Sequence, residues 1–259
     1  VELNNDIDLL LKFINKTFCG YEKNYHFLLD KCDLFVFGGA IRDIVFFKTN
    51  QVRDLDIVVS GISNENLSTI FNRSIIRRTR FGGVNCLLRD VFLDIWSLEE
   101  TWAIRKKYFT AEPKNLPYSV FLSTDGIIFD IKNKLFIESA FFKSFEKKEI
   151  DIVFEKNPFP ALSILRAFVQ KKKYNLSLSE KLCQYIIKYF QQEDEPLNDI
   201  YHIQKSHYGK EMLSVSQIIF EYKMICDLFD NKCEFETYDD TKSIEAQISL
   251  SYSSQYHSV

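Results

Sequence analysis

The sequence predicts an α+β fold, a mixed sheet flanked by helices, followed by an all-helical domain. Three observations carry that reading. Between residues 34 and 137, short apolar runs rich in Val, Ile and Phe are separated by Gly, Asp and Asn turn signals, as strands are. Segments of helical period interrupt the first of these runs. From Pro160 onward the apolar residues fall at three-and-four spacing, which only helices sustain.

Leu9, Leu10, Phe13, Ile14 and Phe18 form an apolar stripe, so the chain opens with an amphipathic helix. Residues 34–37 read as a buried strand, 40–47 as a helix, 55–59 as a second strand and 65–71 as a second helix. Three strands follow at 75–80, 84–88 and 91–96, with Gly82-Gly83 as a hairpin turn. Residues 101–107 fit a helix. Segments 120–122, 127–131 and 134–137 are short and β-like, with turns at Asp125-Gly126 and Lys132-Asn133. Beyond them come three helical patterns. They run from Leu162 through Phe168, from Leu182 through Phe190, and from Ile218 through Phe229. These patterns divide the chain into a head, 1–154, a helical domain, 155–232, and a polar tail, 233–259.

At 259 residues the chain is long enough to bury a large core, and a formal charge of −3 gives no global attraction for nucleic acid. Any such contact must come from local basic patches. The six cysteines are scattered without a CxxC pair, which favours reduced thiols over a disulfide frame or a zinc site. No apolar run approaches a membrane span, and the expected compartment is the cytoplasm.

The chemistry concentrates in Phe37-Gly38-Gly39-Ala40-Ile41-Arg42-Asp43 and in Arg53-Asp54-Leu55-Asp56-Ile57-Val58-Val59. Gly38-Gly39 joins a strand to a helix, where glycine permits close backbone approach and the helix N-terminus favours a phosphate. Alternation on a strand sends Asp54 and Asp56 to one face. Two like charges held so close need a cation between them. Oxygen-only ligands point to Mg²⁺ or Mn²⁺. Asp94, embedded in the apolar Phe92-Leu93-Asp94-Ile95-Trp96, is the candidate third ligand, beside the metal that lowers the pKa of an acceptor hydroxyl. The layout is one for handling a nucleoside triphosphate, and it reads as a nucleotidyltransferase. Arg42 joins Gly38 and Gly39 as a candidate nucleotide-binding residue. His26, His202, His207 and His257 have no partner at ligand spacing. Basic clusters stand at Arg73, Arg77, Arg78 and Arg80, at Arg105-Lys106-Lys107 and at Lys171-Lys172-Lys173.

The run Val36-Phe37-Gly38-Gly39-Ala40-Ile41-Arg42-Asp43 through Asp54-Leu55-Asp56-Ile57-Val58 resembles the head of the class II poly(A) polymerase and CCA-adding enzyme family. That family carries GG, RD and DxD on a DNA polymerase β-like nucleotidyltransferase head, followed by an all-helical neck and body. Leu93-Asp94-Ile95 resembles the family's third acid. Asp125-Gly126-Ile127-Ile128-Phe129-Asp130 is similar to a later hairpin of the head, and Ser163-Ile164-Leu165-Arg166-Ala167-Phe168 to the start of the neck helix. The likeness spans about residues 33–170.

Two family motifs are missing. Where the family has RRDxxxNA, which helps hold the nucleotide, this chain has Asn115-Leu116-Pro117-Tyr118-Ser119-Val120-Phe121-Leu122. Where the neck has EDxxR, whose Asp and Arg read the base edge, it has Phe159, Pro160 and Ser163. The resemblance implies a Mg²⁺-dependent enzyme acting on a nucleoside triphosphate, with an RNA 3′ end as acceptor. A protein hydroxyl or a small molecule stays open as acceptor. So does a catalytically weak or inactive nucleotide- or RNA-binding module of the same fold.

Overall fold

The computed structural model describes residues 3–48, 52, 54–79 and 82–229. The chain divides into two compact units, Val1–Ser144 and Phe145–Val259. The expected tail at 233–259 lies outside the described residues.

The first unit opens with α1 (Leu3–Thr17) and α2 (Glu22–Lys31). Next come β1 (Asp33–Phe37), α3 (Gly39–Ile41), a π-helical turn at Arg42–Phe46, β2 (Asp54–Ser60) and α4 (Asn64–Ile70). β3 (Ile75–Arg78), β4 (Val84–Leu88) and β5 (Val91–Ser97) precede the short α5 (Trp102–Arg105). β6 (Ile127–Asp130) and β7 (Leu135–Glu138) complete a seven-stranded sheet of order β3-β4-β5-β2-β1-β6-β7. The sheet is mixed: β2 and β5 run parallel and its other pairs antiparallel.

Side-chain alternation gives each sheet face its character. On one, Phe35, Val58 and Ile128 pack with Leu98, Ile104 and Leu116 from the segment after β5. On the other, Leu55, Ile57, Leu93 and Ile95 are fully buried. The α3–π segment packs on β1 and β2, and α4 on β4 and β5. The Ser63 hydroxyl caps α4 by accepting from the Asn66 N–H at 3.3 Å. Gly83 follows the β3–β4 turn, where a Cβ would lie 2.7 Å from that of Trp96. Only glycine lets β4 approach there.

Several local expectations need correction. The helix expected over 40–47 is α-helical for its first turn only and widens into a π-turn that holds the buried Arg42. The helix expected at 101–107 shortens to α5. Residues 120–122 form no strand beyond an isolated β-bridge at Leu122. Short 3₁₀ turns at Pro113–Tyr118 and Ser123–Asp125 flank them, because Pro113 and Pro117 have no N–H for a ladder. α2 had no clear signal, since only Tyr25 and Leu28 of its stripe are buried.

α6 (Phe141–Lys147) crosses the boundary between the units. The second unit then holds β8 (Glu149–Ile150), α7 (Pro160–Tyr174), β9 (Ser177–Leu178), α8 (Glu180–Gln192), α9 (Pro196–Tyr208) and α10 (Val215–Leu228). The parallel pair β8–β9 qualifies the all-helical expectation. Left-handed Asn175 and Gly209 end α7 and α9, and a Ser214–Gln217 capping box starts α10. Phe168, Ile186, Ile200 and Ile218 are fully buried, and the Phe190 and Tyr222 rings stack at 3.9 Å. Among the described residues, no helix is long and apolar enough to cross a membrane.

Candidate active site

Parallel register sets Asp56 of β2 against Asp94 of β5, and Asp54 against Phe92. Register partners in a sheet share a face, and Asp54 shares it with Asp56 by alternation. The three acids therefore stand on one face, each partly exposed, while the residues between them are fully buried. That answers why acids sit within apolar strands: their face opens to solvent where their neighbours' face does not. The row continues outward through Asn85 of β4, the register partner of Asp94, to Arg77 of β3.

The side chains are less assembled than the backbone. The Asn85 amide donates to an Asp94 carboxylate oxygen at 2.7 Å. Among the described residues, no three His, Cys, Asp or Glu side chains stand together as a group able to hold a metal ion. The donor chemistry, three carboxylates on one face, fits a hard cation; rotation of these side chains is needed to bring them onto one. Burial, with the Asp94 charge added, pushes the neighbouring Cys86 thiol up to about 11. It stays a thiol at neutral pH.

The glycine loop leaves β1 beside this row, because Val36 pairs with Ile57. Gly38 takes φ +43 and ψ −94, a conformation for glycine, and a Cβ there would lie 3.1 Å from the Asp125 carbonyl oxygen. Its N–H donates to the Ile127 carbonyl at 2.9 Å, so this amide does not face a phosphate. The N–H groups of Gly39, Ala40 and Ile41 precede the first helical bond, Arg42 N–H to the Gly38 carbonyl, and the N-cap residue Gly38 has no side chain to cap them. Arg42, expected at the nucleotide, is engaged by two carboxylates. Only 8% exposed, it pairs with the Asp125 carboxylate and stands 3.6 Å from that of Asp43.

In the second unit, a pocket of about 590 Å³ is lined by Phe159, Leu162, Tyr189, Glu193, Asp199 and His202, among others. Phe159 is the uncapped residue before α7 and Pro160 its first residue. The buried Ser163 hydroxyl is bonded to the Asn157 amide.

No protein-family model matches the chain, and no curated protein matches it by sequence. Solved structures do match. A CCA-adding enzyme in complex with CTP superposes with a TM-score of 0.57 over 90% of this chain, at 16% identity. A tRNA nucleotidyltransferase complexed with a primer tRNA and an incoming ATP analog gives 0.56 over 80%, at 17% identity. The Thermotoga maritima CCA-adding enzyme complexed with tRNA gives 0.54 over 84%, at 17% identity.

The fold is that of the CCA-adding tRNA nucleotidyltransferases.

At these identities the likeness establishes the fold and nothing finer. The chain spans 58%, 61% and 54% of the length of these three CCA-adding and tRNA nucleotidyltransferase structures. Within the nucleotidyltransferase fold, two residues take parts that the sequence alone did not assign. Asn85 was legible in principle, since the two-residue turn at Arg89-Asp90 pairs Leu88 with Val91 and so sets Asn85 opposite Asp94. The partnership of Asp125 with Arg42 crosses 83 positions of sequence and left no local signal.

Proposed function

We propose that this protein is a metal-dependent nucleotidyltransferase. It moves a nucleoside monophosphate from a nucleoside triphosphate to an acceptor hydroxyl. The acceptor hydroxyl gives its proton to water, its oxygen bonds to the α-phosphorus, the bond from that phosphorus to the bridging oxygen breaks, and pyrophosphate leaves with the electron pair. The observation that carries the reading is the register of Asp56 with Asp94, with Asp54 on the same face, beside a glycine-initiated helix in this fold. Asp54, Asp56 and Asp94 would hold Mg²⁺ or Mn²⁺. When bound, such ions lower the pKa of the acceptor hydroxyl and neutralise charge on the phosphates. Asp94, on β5 beside the β2 pair, would serve the ion that acts on the acceptor hydroxyl. The N–H groups of Gly39, Ala40 and Ile41 would receive phosphate oxygens. Gly38 shapes the loop, and Arg42 holds it through Asp125 rather than serving as the main phosphate ligand.

An RNA 3′ end is the favoured acceptor, because structural neighbours are complexes with CTP, ATP and tRNA. The test is incubation of the protein with Mg²⁺ and each of four α-labelled nucleotides, against total RNA and against a protein mixture. Label in RNA supports the reading. Label in neither supports a second one, a nucleotide- or RNA-binding module without turnover. Two observations favour that alternative: the bond that Asn85 makes to Asp94, and carboxylates not gathered as a metal-ready group.

A further inference from the structure

We propose that Asn85 is a positioning residue for the metal centre, setting the rotation of Asp94 so that this carboxylate meets the cation. The proposal rests on reading Asp54, Asp56 and Asp94 as that centre, and it adds the residue that orients the third ligand. β4 is otherwise apolar, with Val84, Cys86, Leu87 and Leu88 around Asn85. Strands disfavour asparagine, and a buried amide costs stability unless it is bonded. Yet Asn85 is only 5% exposed. Its amide donates to an Asp94 carboxylate oxygen at 2.7 Å. An ionised carboxylate only accepts, so the nitrogen end of the amide must face it.

Register gives this contact its direction. Asn85 of β4 stands opposite Asp94 of β5, and Asp94 stands beside Asp56 of β2. Asp94 thus lies between a donor on one side and an acid on the other, each one strand spacing away, about 5 Å. Repulsion among the acids drives the Asp94 side chain out of the row. The amide opposes that movement and leaves the charge of Asp94 intact, because the donor is neutral. A lysine or arginine in its place would neutralise the carboxylate that the cation needs. Arg77, the next residue of the row, is in register with Asn85 and so stands a further strand away from Asp94. The two oxygens of an ionised carboxylate offer about four acceptor sites. One amide bond and one cation therefore fit the same group, and an outer partner of this kind fixes the orientation of a metal ligand.

The test is titration of the full chain with Mn²⁺ alone, read by electron paramagnetic resonance of the free ion. Melting curves with and without Mn²⁺, and nucleotide transfer, are measured in parallel. Asn85→Leu keeps the size of the side chain and removes the donor; Asn85→Ala repeats the loss without bulk, should the first variant not fold. Asn85→Thr keeps a hydroxyl donor on a side chain that strands favour. The donorless variants are expected to bind Mn²⁺ roughly 10- to 100-fold more weakly than wild type. The rise in melting temperature that Mn²⁺ gives wild type should shrink with them. Their transfer deficit should close as Mn²⁺ is raised, with the KM for nucleotide unchanged. Asn85→Thr should recover part of the lost affinity. Wild-type affinity in a folded donorless variant would overturn the proposal and leave the metal centre in place. Tighter binding would do the same, since the amide would then compete with the cation for Asp94. Equal losses with and without a donor would assign the effect to packing and overturn it as well. A wild type that binds no Mn²⁺ removes the metal centre and the role of Asn85 together. The expected order of Mn²⁺ affinities without transfer from any nucleotide supports the role of Asn85 and removes the transfer reading alone.

Discussion

Arg42 and Asp125 form a buried ion pair between the π-turn after the glycine loop and the 3₁₀ turn before β6, with exposures of 8% and 6%. The same Asp125 closes over Gly38 with its backbone carbonyl. One residue therefore fixes both the side chain that follows the loop and the backbone conformation that starts it.

Removing one partner leaves the other charge buried and unpaired. Asp125→Ala is expected to destabilise the protein by about 3–5 kcal/mol, measured by urea unfolding. The double variant Arg42→Met/Asp125→Ala should recover a large part of that loss, because neither charge then remains. An unchanged midpoint in Asp125→Ala would mean that the pair does not hold the loop.

The two loop glycines differ in a way a substitution can expose. Gly38→Ala forces a side chain into a left-handed conformation against the Asp125 carbonyl, and is expected to cost about 1–3 kcal/mol. Among the described residues an added Cβ at Gly39 meets only the Arg42 guanidinium, at 3.6 Å, so Gly39→Ala should leave the melting temperature unchanged. Gly39→Val should leave the fold intact yet weaken triphosphate binding, read by titration with a fluorescent nucleotide. Equal melting temperatures for Gly38→Ala and Gly39→Ala would contradict the loop geometry.

Much of this head was legible because its signals are local. Period-two alternation marks Asp54 and Asp56 as co-facial, and an acid inside Phe92-Leu93-Asp94-Ile95-Trp96 stands out against its neighbours. In the second unit α7, α8 and α10 follow from apolar spacing, and Ser179 and Ser214 start the last two; α9, ended by Gly209, had no such expected pattern. The rest depended on tertiary partners. The π-turn begins at Arg42, whose guanidinium meets Asp125, and no window of neighbouring residues contains both. Residues 120–122 have strand-like composition, but the prolines before them and the Ser123–Asp125 turn after them decide otherwise. Whether the Asp94 carboxylate swings to the pair or stays on Asn85 is a side-chain matter that strand alternation cannot reach.

His202 gives a pH signature in the second unit. Burial, reinforced by Lys205, holds its imidazole below the ordinary 6.5, while Asp199 and Glu195 act the other way with less effect. The neutral ring is thus favoured by the fold, and the unfolded chain binds more protons in the window below 6.5. Stability from this group is full above that window and is lost as pH falls through it. A series of thermal melts from pH 8 to pH 5 should show a shallower decline for His202→Gln than for wild type. Parallel curves would show that His202 does not titrate differently on folding.

Base selection should be weak. Discrimination needs polar groups aimed at a base edge and left unpaired by the wrong base. Phe159 and Pro160 carry no such groups, and the Ser163 hydroxyl is bonded to Asn157. Phe159 can stack on a base, but stacking tolerates any of the four. ATP and CTP are expected to compete on similar terms. Ordered addition of C, C and A is not expected when the protein meets tRNA lacking its 3′ end. A product ending in CCA would refute this account of the second unit.

The central claim is that the row of Asp54, Asp56 and Asp94 is a transfer centre, and Asp56→Asn tests it most directly. The substitution removes one of two neighbouring negative charges without changing the shape of the side chain, so the melting temperature should hold or rise. Transfer of labelled nucleoside monophosphate in saturating Mg²⁺ should fall by at least about 100-fold relative to wild type. Undiminished transfer by a folded Asp56→Asn protein would contradict the assignment.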